Sequence, residues 1–343
     1  MSTVSAIIPT WNRADLLQNI LANLRGQTRS PDEVIVVDNG STDASPEVAR
    51  EFGAVLVTLS GNQGFAMAVN EGIRRAGSDW FLIINNDVEL QPQWIERLLT
   101  AAEQEGADFA AGKLLQSARP DRIDGTWDLV SRGAHAWRCG YGRADDGSWS
   151  HRKEVQAVPM TAAIFHRRIF ERIGDLDTRF EAYYEDVDFG MRCAAAGFKG
   201  LYEPAAVATH FGKGTLGKQS ARVLFLTARN QVFLLAKHYS GATLWRFAWP
   251  IFIGQMLSVA GAAKQGHLLP ALRGLWEGMR RWPSFRNELP ADSGRTERAL
   301  LASELEIRDI QNQIGFDPYW RLYFSLVGRR PRRPPPEATC KSQ

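Results

Sequence analysis

The sequence has little of what would assign it quickly. Cysteine is scarce: Cys139, Cys193 and Cys340 are spread over 343 residues. An odd, scattered set forms neither a disulfide framework nor a zinc spacing, and it suits a reducing compartment. Net charge is almost absent at +3, so no overall basic field points to nucleic acid, and no nucleic-acid partner is expected. Long apolar runs are missing. Phe247 to Ala263 carries no charge between Arg246 and Lys264, but its 17 residues sit at the short edge of a spanning helix. Pro250, Gly254, Gln255, Ser258 and Gly261 weaken it further. The N-terminal residues lack the basic and apolar parts of a secretory signal. No G-x-G-x-x-G follows the first apolar run and no G-x-x-x-x-G-K-[ST] occurs, which argues against dinucleotide oxidoreductases and P-loop NTPases. No internal repeat stands out.

What is present is an alternation. Val4 to Pro9, Val34 to Val37, Ala54 to Leu59 and Trp80 to Ile84 are short apolar runs that read as buried strands. Between them, Leu16, Leu17, Ile20, Leu21 and Leu24 recur at helical spacing before Gly26, and Phe65, Val69 and Ile73 recur after Gly64. Pro46 to Phe52 predicts a short helix, and Pro92 opens another with Trp94, Ile95, Leu98 and Leu99 on its apolar face. Four strand–helix alternations in about 100 residues imply an α/β chain with a doubly wound, mostly parallel sheet.

In such a sheet, ligands bind beyond the carboxyl ends of the strands. Thr10 to Arg13, Asp38 to Asp43 and Asn85 to Asp87 all follow strands and should converge on one crevice. A carboxylate such as Asp87 at that edge can hold a hard divalent cation, and the cation a diphosphate. Taken alone, Asn85-Asn86-Asp87 reads first as an ordinary turn.

The ordered set of motifs carries more. Ser5 to Arg13 (SAIIPTWNR), Val36 to Asp43 (VVDNGSTD), Asn62-Gln63-Gly64-Phe65 with Asn70 and Gly72, and Asn85-Asn86-Asp87 together resemble family 2 glycosyltransferases of the GT-A (Rossmann-like) fold. The subgroup most resembled is the rhamnosyltransferase-like enzymes of bacterial cell-surface polysaccharide assembly. The resemblance covers roughly residues 4 to 215. It implies a nucleotide site formed by Pro9, Thr10, Asn12, Arg13, Asp38, Asn39, Asn62, Gly64, Asn70, Asn85 and Asn86. Asp38 would accept hydrogen bonds from a uracil or thymine ring. Asn85 stands where the family carries the first Asp of its Asp-x-Asp signature, so a neutral amide would meet the ribose. Asp87 would remain as the ligand of Mg2+ or Mn2+.

Further along, Ala107 to Gly112 suggests a strand, and Asp121 to Trp149 reads as a long loop with short strands, expected to meet the acceptor. Small residues at Thr161 to Ala163 would let a sugar approach the backbone, although an ordinary strand and turn reads the same. Glu185-Asp186-Val187-Asp188 gathers three carboxylates in four residues. Acidic residues favour the first turn of a helix, which explains Glu185 and Asp188. The cluster also resembles the family's Glu-Asp element, which implies that Asp186 is the general base, with Glu185 and Asp188 orienting the acceptor or binding nearby backbone. His210 follows a predicted strand and opens a Gly-containing loop. By resemblance it is a second metal ligand, with Lys213 and Lys218 near the diphosphate.

Beyond residue 215 the pattern turns helical. Ala221 to Tyr239 predicts an amphipathic helix, and Phe247 to Ala263 a helix lying on a membrane surface or packed on partners. Ser293 to Ile314 predicts another, and Phe316 to Val327 has an interfacial, aromatic-rich composition. Basic residues from Lys264 to Arg286 suit anionic headgroups. The division expected is therefore a catalytic domain over residues 1–215, a helical, membrane-associating region over 216–328, and a disordered basic, Pro-rich tail over 329–343. The leading expectation is a metal-dependent, inverting transfer from a nucleoside-diphosphate sugar, dTDP-rhamnose foremost, to a saccharide or lipid-linked saccharide. The protein would work from the cytoplasm, peripheral on the inner face of the cell membrane. The rival is a non-catalytic subunit that binds a sugar nucleotide or polysaccharide on the same fold. A nucleotidylyltransferase would need a basic phosphate-gripping loop after the first strand, and Pro9-Thr10-Trp11-Asn12 is not one.

Overall fold

The computed structural model describes residues 2–212, 220–286 and 293–328. Its strands in chain order are β1 (Val4–Thr10), β2 (Glu33–Asp38), β3 (Val55–Thr58), β4 (Trp80–Ile84), β5 (Val88–Leu90), β6 (Phe109–Gln116), β7 (Arg119–Gly125), β8 (Asp128–Val130), β9 (Ala136–Arg138), β10 (Lys153–Val155), β11 (Ala162–His166) and β12 (Gly200–His210). The main sheet runs β10-β12-β6-β11-β4-β1-β2-β3, with β5 on β12 and β7 on β6, while β8 and β9 pair separately. β1 lies parallel to both β2 and β4, and β2 parallel to β3. β11 then enters antiparallel between β4 and β6, which makes the sheet mixed. The first four strands and the helices between them match the alternation of the sequence.

The two faces of the sheet are separate cores because strand side chains alternate. On β1, Val4, Ala6 and Ile8 pack with Leu17, Leu21 and Trp94, from the helices Ala14–Arg25 and Trp94–Glu105. Ile7 points the other way, into a cluster with Val37, Val69, Phe165 and Phe189. Gly72 in the helix Phe65–Arg75 is required here, because a Cβ would come within 2.3 Å of the Ile7 side chain.

Two expectations need correction. Residues 121–149 hold the expected short strands, the end of β7 with β8 and β9, but the stretch is packed inward: its Ile123, Trp127, Leu129, Cys139 and Trp149 are buried in the core shared with the sheet. The aromatics of the helix Pro318–Val327 do not form an outward interfacial face either. Trp320, Tyr323 and Phe324 are buried in that same core together with Ile253 and Ile307. The reason is area: each aromatic removes a large apolar surface from water, and β8 and β9 leave a matching surface to cover. The helix Ser293–Ile314 reinforces the join, because Glu304 receives Arg132 and the Tyr323 hydroxyl at its carboxylate. Lys213, Lys218 and the tail from residue 329 lie outside the described residues.

If the C-terminal helices complete the core, truncating Trp320 should be felt by the whole molecule. Trp320→Ala is expected to lower unfolding stability by about 3–5 kcal/mol, the range for a large aromatic deleted from a core. Urea titrations read by near-UV circular dichroism would check this, and a loss below about 1 kcal/mol would show that this helix packs loosely.

Candidate active site

The carboxyl ends of β1, β2 and β4 bring the predicted polar loops together. Thr10 and Asp38 face each other in the β1–β2 register, and the Asn39 amide donates to the Thr10 carbonyl at 2.9 Å. Asn86 Nδ2 reaches Thr10 Oγ1 at 2.9 Å, so the β4 turn is tied to the β1 turn. Asp38 is buried, and its Oδ1 accepts the Ser41 amide at 3.0 Å, which curls the loop after β2. Asn12 has φ 51°, a left-handed conformation that Asn tolerates better than most residues. It is held there by Ser41 Oγ on its own amide and by the Thr42 amide on its Oδ1. Arg13 pairs with Asp15 at 3.2 Å. Pro9 is half-buried in β1, opposite Val37.

Three of the predicted Asn residues shape loops. Asn39 Oδ1 accepts the Gln63 amide at 2.8 Å, and its Nδ2 faces Asn62 Oδ1 and the Gly64 carbonyl, each at 3.2 Å. Asn70 is buried and bonds both the amide and the carbonyl of Leu176. For Asn70 this corrects the expected nucleotide contact: its side-chain amide is used within the fold. Gly64 has φ 90°, and a Cβ there would sit 2.8 Å from the Glu181 carbonyl. The Asn85 amide donates to the Thr161 carbonyl at 2.9 Å, and Ala162 is in register with Ile84. The small residues Thr161 to Ala163 therefore flank the turn that leads to Asp87.

Asp87 meets His210 across the β5–β12 pairing. Val88 is in register with His210, and His210 Nε2 lies 3.4 Å from Asp87 Oδ1. On the other ring nitrogen, Nδ1 lies 2.6 Å from Asp124 Oδ2. Burial would depress the imidazole pKa, but the hydrogen bonds to Asp124 and Asp87 outweigh it and push it up to about 9. A carboxylate behind an imidazole is how proteins fix the tautomer and orientation of a metal-binding His. The donor atoms, Asp87 Oδ1 and His210 Nε2, fit a divalent cation once the imidazole gives up its proton, because a metal takes the neutral ring. Among the described residues no three His, Cys, Asp or Glu side chains are grouped to hold a metal by themselves. Two protein ligands suit a cation that takes its remaining oxygens from a diphosphate and water.

The three acidic residues of the second cluster have three different fates. Asp186 keeps 16% side-chain exposure and lies 3.5 Å from the Arg138 guanidinium. Glu185 is buried, and its Oε2 has no hydrogen-bond partner within the protein. Burial, with the neighbouring Asp186 charge, pushes its carboxyl well up from the usual range. Asp188 corrects the expectation that it orients an acceptor. It is wholly buried among Arg192, Lys237 and His238, at 3.0, 3.0 and 2.8 Å. Burial alone would raise its carboxyl, but these partners hold it well below the usual range. Arg138 also reaches Asp128 at 3.4 Å. There burial, opposed by Arg138 and helped by Asp186, pushes the carboxyl up to about 6.

Residues 5–174 match the family described as glycosyl transferase family 2. The chain carries a family 2 glycosyltransferase domain. It is 29% identical over 262 residues to the N-acetylglucosaminyl-diphospho-decaprenol L-rhamnosyltransferase of Mycobacterium tuberculosis, a match covering 69% of this chain and 84% of that protein. It is 29% identical over 206 residues to the O-antigen biosynthesis protein RfbC of Myxococcus xanthus, covering 57% of this chain and 16% of that one. The structure is similar to that of GalNAc-T7 with UDP, GalNAc and Mn2+, at a TM-score of 0.61 and 13% identity, covering 93% of this chain and 59% of that chain. It is also similar to the mannosyltransferase PcManGT of Pyrobaculum calidifontis in complex with GDP-Man and Mn2+, at a TM-score of 0.50 and 20% identity, covering 89% and 87%. Both likenesses show the fold, an α/β sheet of the glycosyltransferase type.

Sequence reasoning missed several residues around this glycosyltransferase site. Asp124 and Arg138 sit in a stretch with no periodicity to mark them, and only the folding of β7 and β9 carries them to His210 and Asp186. Asn230 and Arg229 lie on a helix whose polar residues read as a solvated face but are buried. If Asp124 orients His210, Asp124→Ala should weaken Mn2+-dependent binding of UDP or dTDP by about 10–100-fold, the usual cost of losing such a partner. Calorimetry with and without Mn2+ would measure it, and an unchanged affinity would remove Asp124 from the site.

Proposed function

We propose that this protein is an inverting glycosyltransferase. It would move a sugar from a nucleoside-diphosphate donor, dTDP-rhamnose foremost, to a saccharide acceptor, a lipid-linked one foremost, in cell-surface polysaccharide assembly. The observation that carries the reading is the contrast within the acidic cluster. Asp188 is sealed in ion pairs and Glu185 is buried with one oxygen unpartnered, while Asp186 remains partly exposed. Asp186 takes the proton from the acceptor hydroxyl as that oxygen bonds to the anomeric carbon. The anomeric bond to the diphosphate breaks, and the nucleoside diphosphate leaves with the electron pair. A single displacement inverts the anomeric centre. Asp87 and His210 would hold Mg2+ or Mn2+, whose charge stabilises the departing diphosphate. Asp38 and Thr10 line the nucleotide side of the crevice, and the Thr161 to Ala163 backbone leaves room for the sugar. The rhamnosyltransferase relative supports this choice of donor and of acceptor class, and the catalytic part is read as residues 1–215.

Asp186→Asn tests the base, because it keeps the shape and removes the proton acceptor. Transfer should fall by about 10²–10⁴-fold, the usual share of general-base assistance, with donor affinity near the parent value. Product formation and calorimetry separate the two. Full activity in Asp186→Asn would overturn the assignment, and a parent protein that binds donor and never transfers would favour a binding subunit.

A lipid-linked acceptor implies a membrane surface, and the C-terminal helices support one. No described helix is long and apolar enough to cross a bilayer. Yet eleven of the thirteen exposed large apolar side chains among the described residues lie on the helices between residues 241 and 280 and on Pro318–Val327. Trp245, Trp249 and Phe252 are 86%, 54% and 56% exposed, and Trp276 is 61% exposed. Arg246, Lys264, Arg273 and Arg280 stand among them against the single acidic Glu277 over residues 241–280. Aromatic and cationic side chains on one helical layer suit the interface of an anionic bilayer. We read the protein as peripheral on the cytoplasmic face. Sedimentation with vesicles of 30% phosphatidylglycerol in phosphatidylcholine should retain the parent. The variant Trp245→Ser, Trp249→Ser, Trp276→Ser should lose at least ten-fold in partitioning while melting normally. Equal partitioning of both proteins would count against this surface.

A further inference from the structure

The carboxylate assigned as base stands at the end of an unusual piece of backbone. Five non-glycine residues have positive φ among those described, and three of them are Glu181, Tyr183 and Tyr184, at 63°, 65° and 71°. Side chains with a Cβ are disfavoured there, so such a segment persists only when its surroundings hold it. Asp186 follows directly, in the first turn of the helix Glu185–Ala196.

What holds the segment comes from outside residues 1–215. The helix Ala221–His238 presents Asn230, fully buried, whose Nδ2 faces the carbonyls of Phe180, Ala182 and Tyr183 at 2.9, 2.9 and 2.6 Å. Arg229, 3% exposed, donates to the Phe180 carbonyl at 2.9 Å and to the Glu181 carboxylate, and its Nε bonds Asn230 Oδ1 at 3.0 Å. One turn of helix thus collects three carbonyls that the left-handed backbone turns inward. The Phe180 carbonyl also accepts the Ala182 amide at 2.8 Å, so it is the Ala182 and Tyr183 carbonyls that rely most on Asn230. The opposite side of the same helix is packed against Leu268–Arg280, close enough that a Cβ on Gly274 would come within 2.3 Å of the Phe225 carbonyl.

We propose that Asn230, with Arg229 behind it, is a positioning residue for glycosyl transfer. It fixes the Glu181 to Tyr184 backbone so that Asp186 is presented to the acceptor. The helical region is then part of the catalytic scaffold as well as a candidate membrane surface. The catalytic half of this inference rests on Asp186 being the base, and the backbone half does not.

Asn230→Asp keeps the side-chain shape and removes the Nδ2 donor. In this variant the transfer rate should fall about 10–100-fold at saturating donor and acceptor, while the dissociation constant for UDP with Mn2+ changes less than three-fold. Hydrogen exchange of the amides over residues 181–187 should quicken at least ten-fold, with the β1, β2 and β4 amides unchanged. Asn230→Ser, which restores a smaller donor, should recover part of the rate. Equal loss of donor binding and transfer, or quickened exchange across the whole sheet, would mean a general folding role and would overturn the proposal. Unchanged exchange over 181–187 would overturn it whichever carboxylate takes the proton. If exchange quickens and Asp186→Asn is fully active, the clamp stands and the base assignment alone fails.

Discussion

The arrangement depends on one buried carboxylate. Asp188 lies wholly inside the protein, and a charge there is tolerated only when it is paired and hydrogen-bonded. Its partners come from two directions: Arg192 from its own helix, and Lys237 and His238 from the helix Ala221–His238. Lys237 also reaches Asp177 at 2.7 Å, and Asp177 holds Arg179, so the network extends to both ends of the segment that precedes Asp186. Ion pairs of this kind add little net stability over an apolar core, but breaking one leaves a charge stranded. Their effect is positional. The start of the helix Glu185–Ala196 cannot drift from the C-terminal helix without exposing an unpaired charge to a dry interior.

Seen this way, the molecule has two kinds of polar ground. At the ends of β1, β2 and β4, Asn and Ser side chains bond the backbone of neighbouring turns. Around Asp188 the polar groups are consumed by one another. Asp186 sits between these regimes, one residue from a buried, half-unpartnered Glu185 and two from the sealed Asp188. The difference in environment, more than the residue type, distinguishes three carboxylates that look alike in sequence.

Much of the fold was legible because its first hundred residues obey simple periodicities. Buried parallel strands read as apolar runs, and the loops after them carried Thr10, Asp38 and Asp87 in order. His210 was reached by resemblance, and its closeness to Asp87 follows from the β5–β12 pairing, which no local pattern announces. Asp124 could not be found at all, since its meeting with His210 spans 86 residues and depends on β7 folding beside β6. The C-terminal aromatics were misread for a related reason. Trp320 and Tyr323 have the composition of an interfacial helix, and only the apolar surface left by β8 and β9 shows that they face inward. Trp245 and Trp276, in sequence no different, face outward.

The shared core has a consequence for how this protein can be divided. The match to the glycosyltransferase family ends at residue 174, a natural place to imagine a self-sufficient module. A fragment ending there, or near residue 215, would bare Trp127, Leu129 and Cys139, which now share a core with Ile307, Trp320 and Tyr323; the shorter one would lack Asp188 altogether, and the longer one would strip it of its Lys237 and His238 partners. Grafting this domain onto another C-terminal region, to redirect it to a different surface, would therefore require rebuilding its interior. The unit that can be exchanged between proteins by recombination is larger than the unit that sequence comparison outlines.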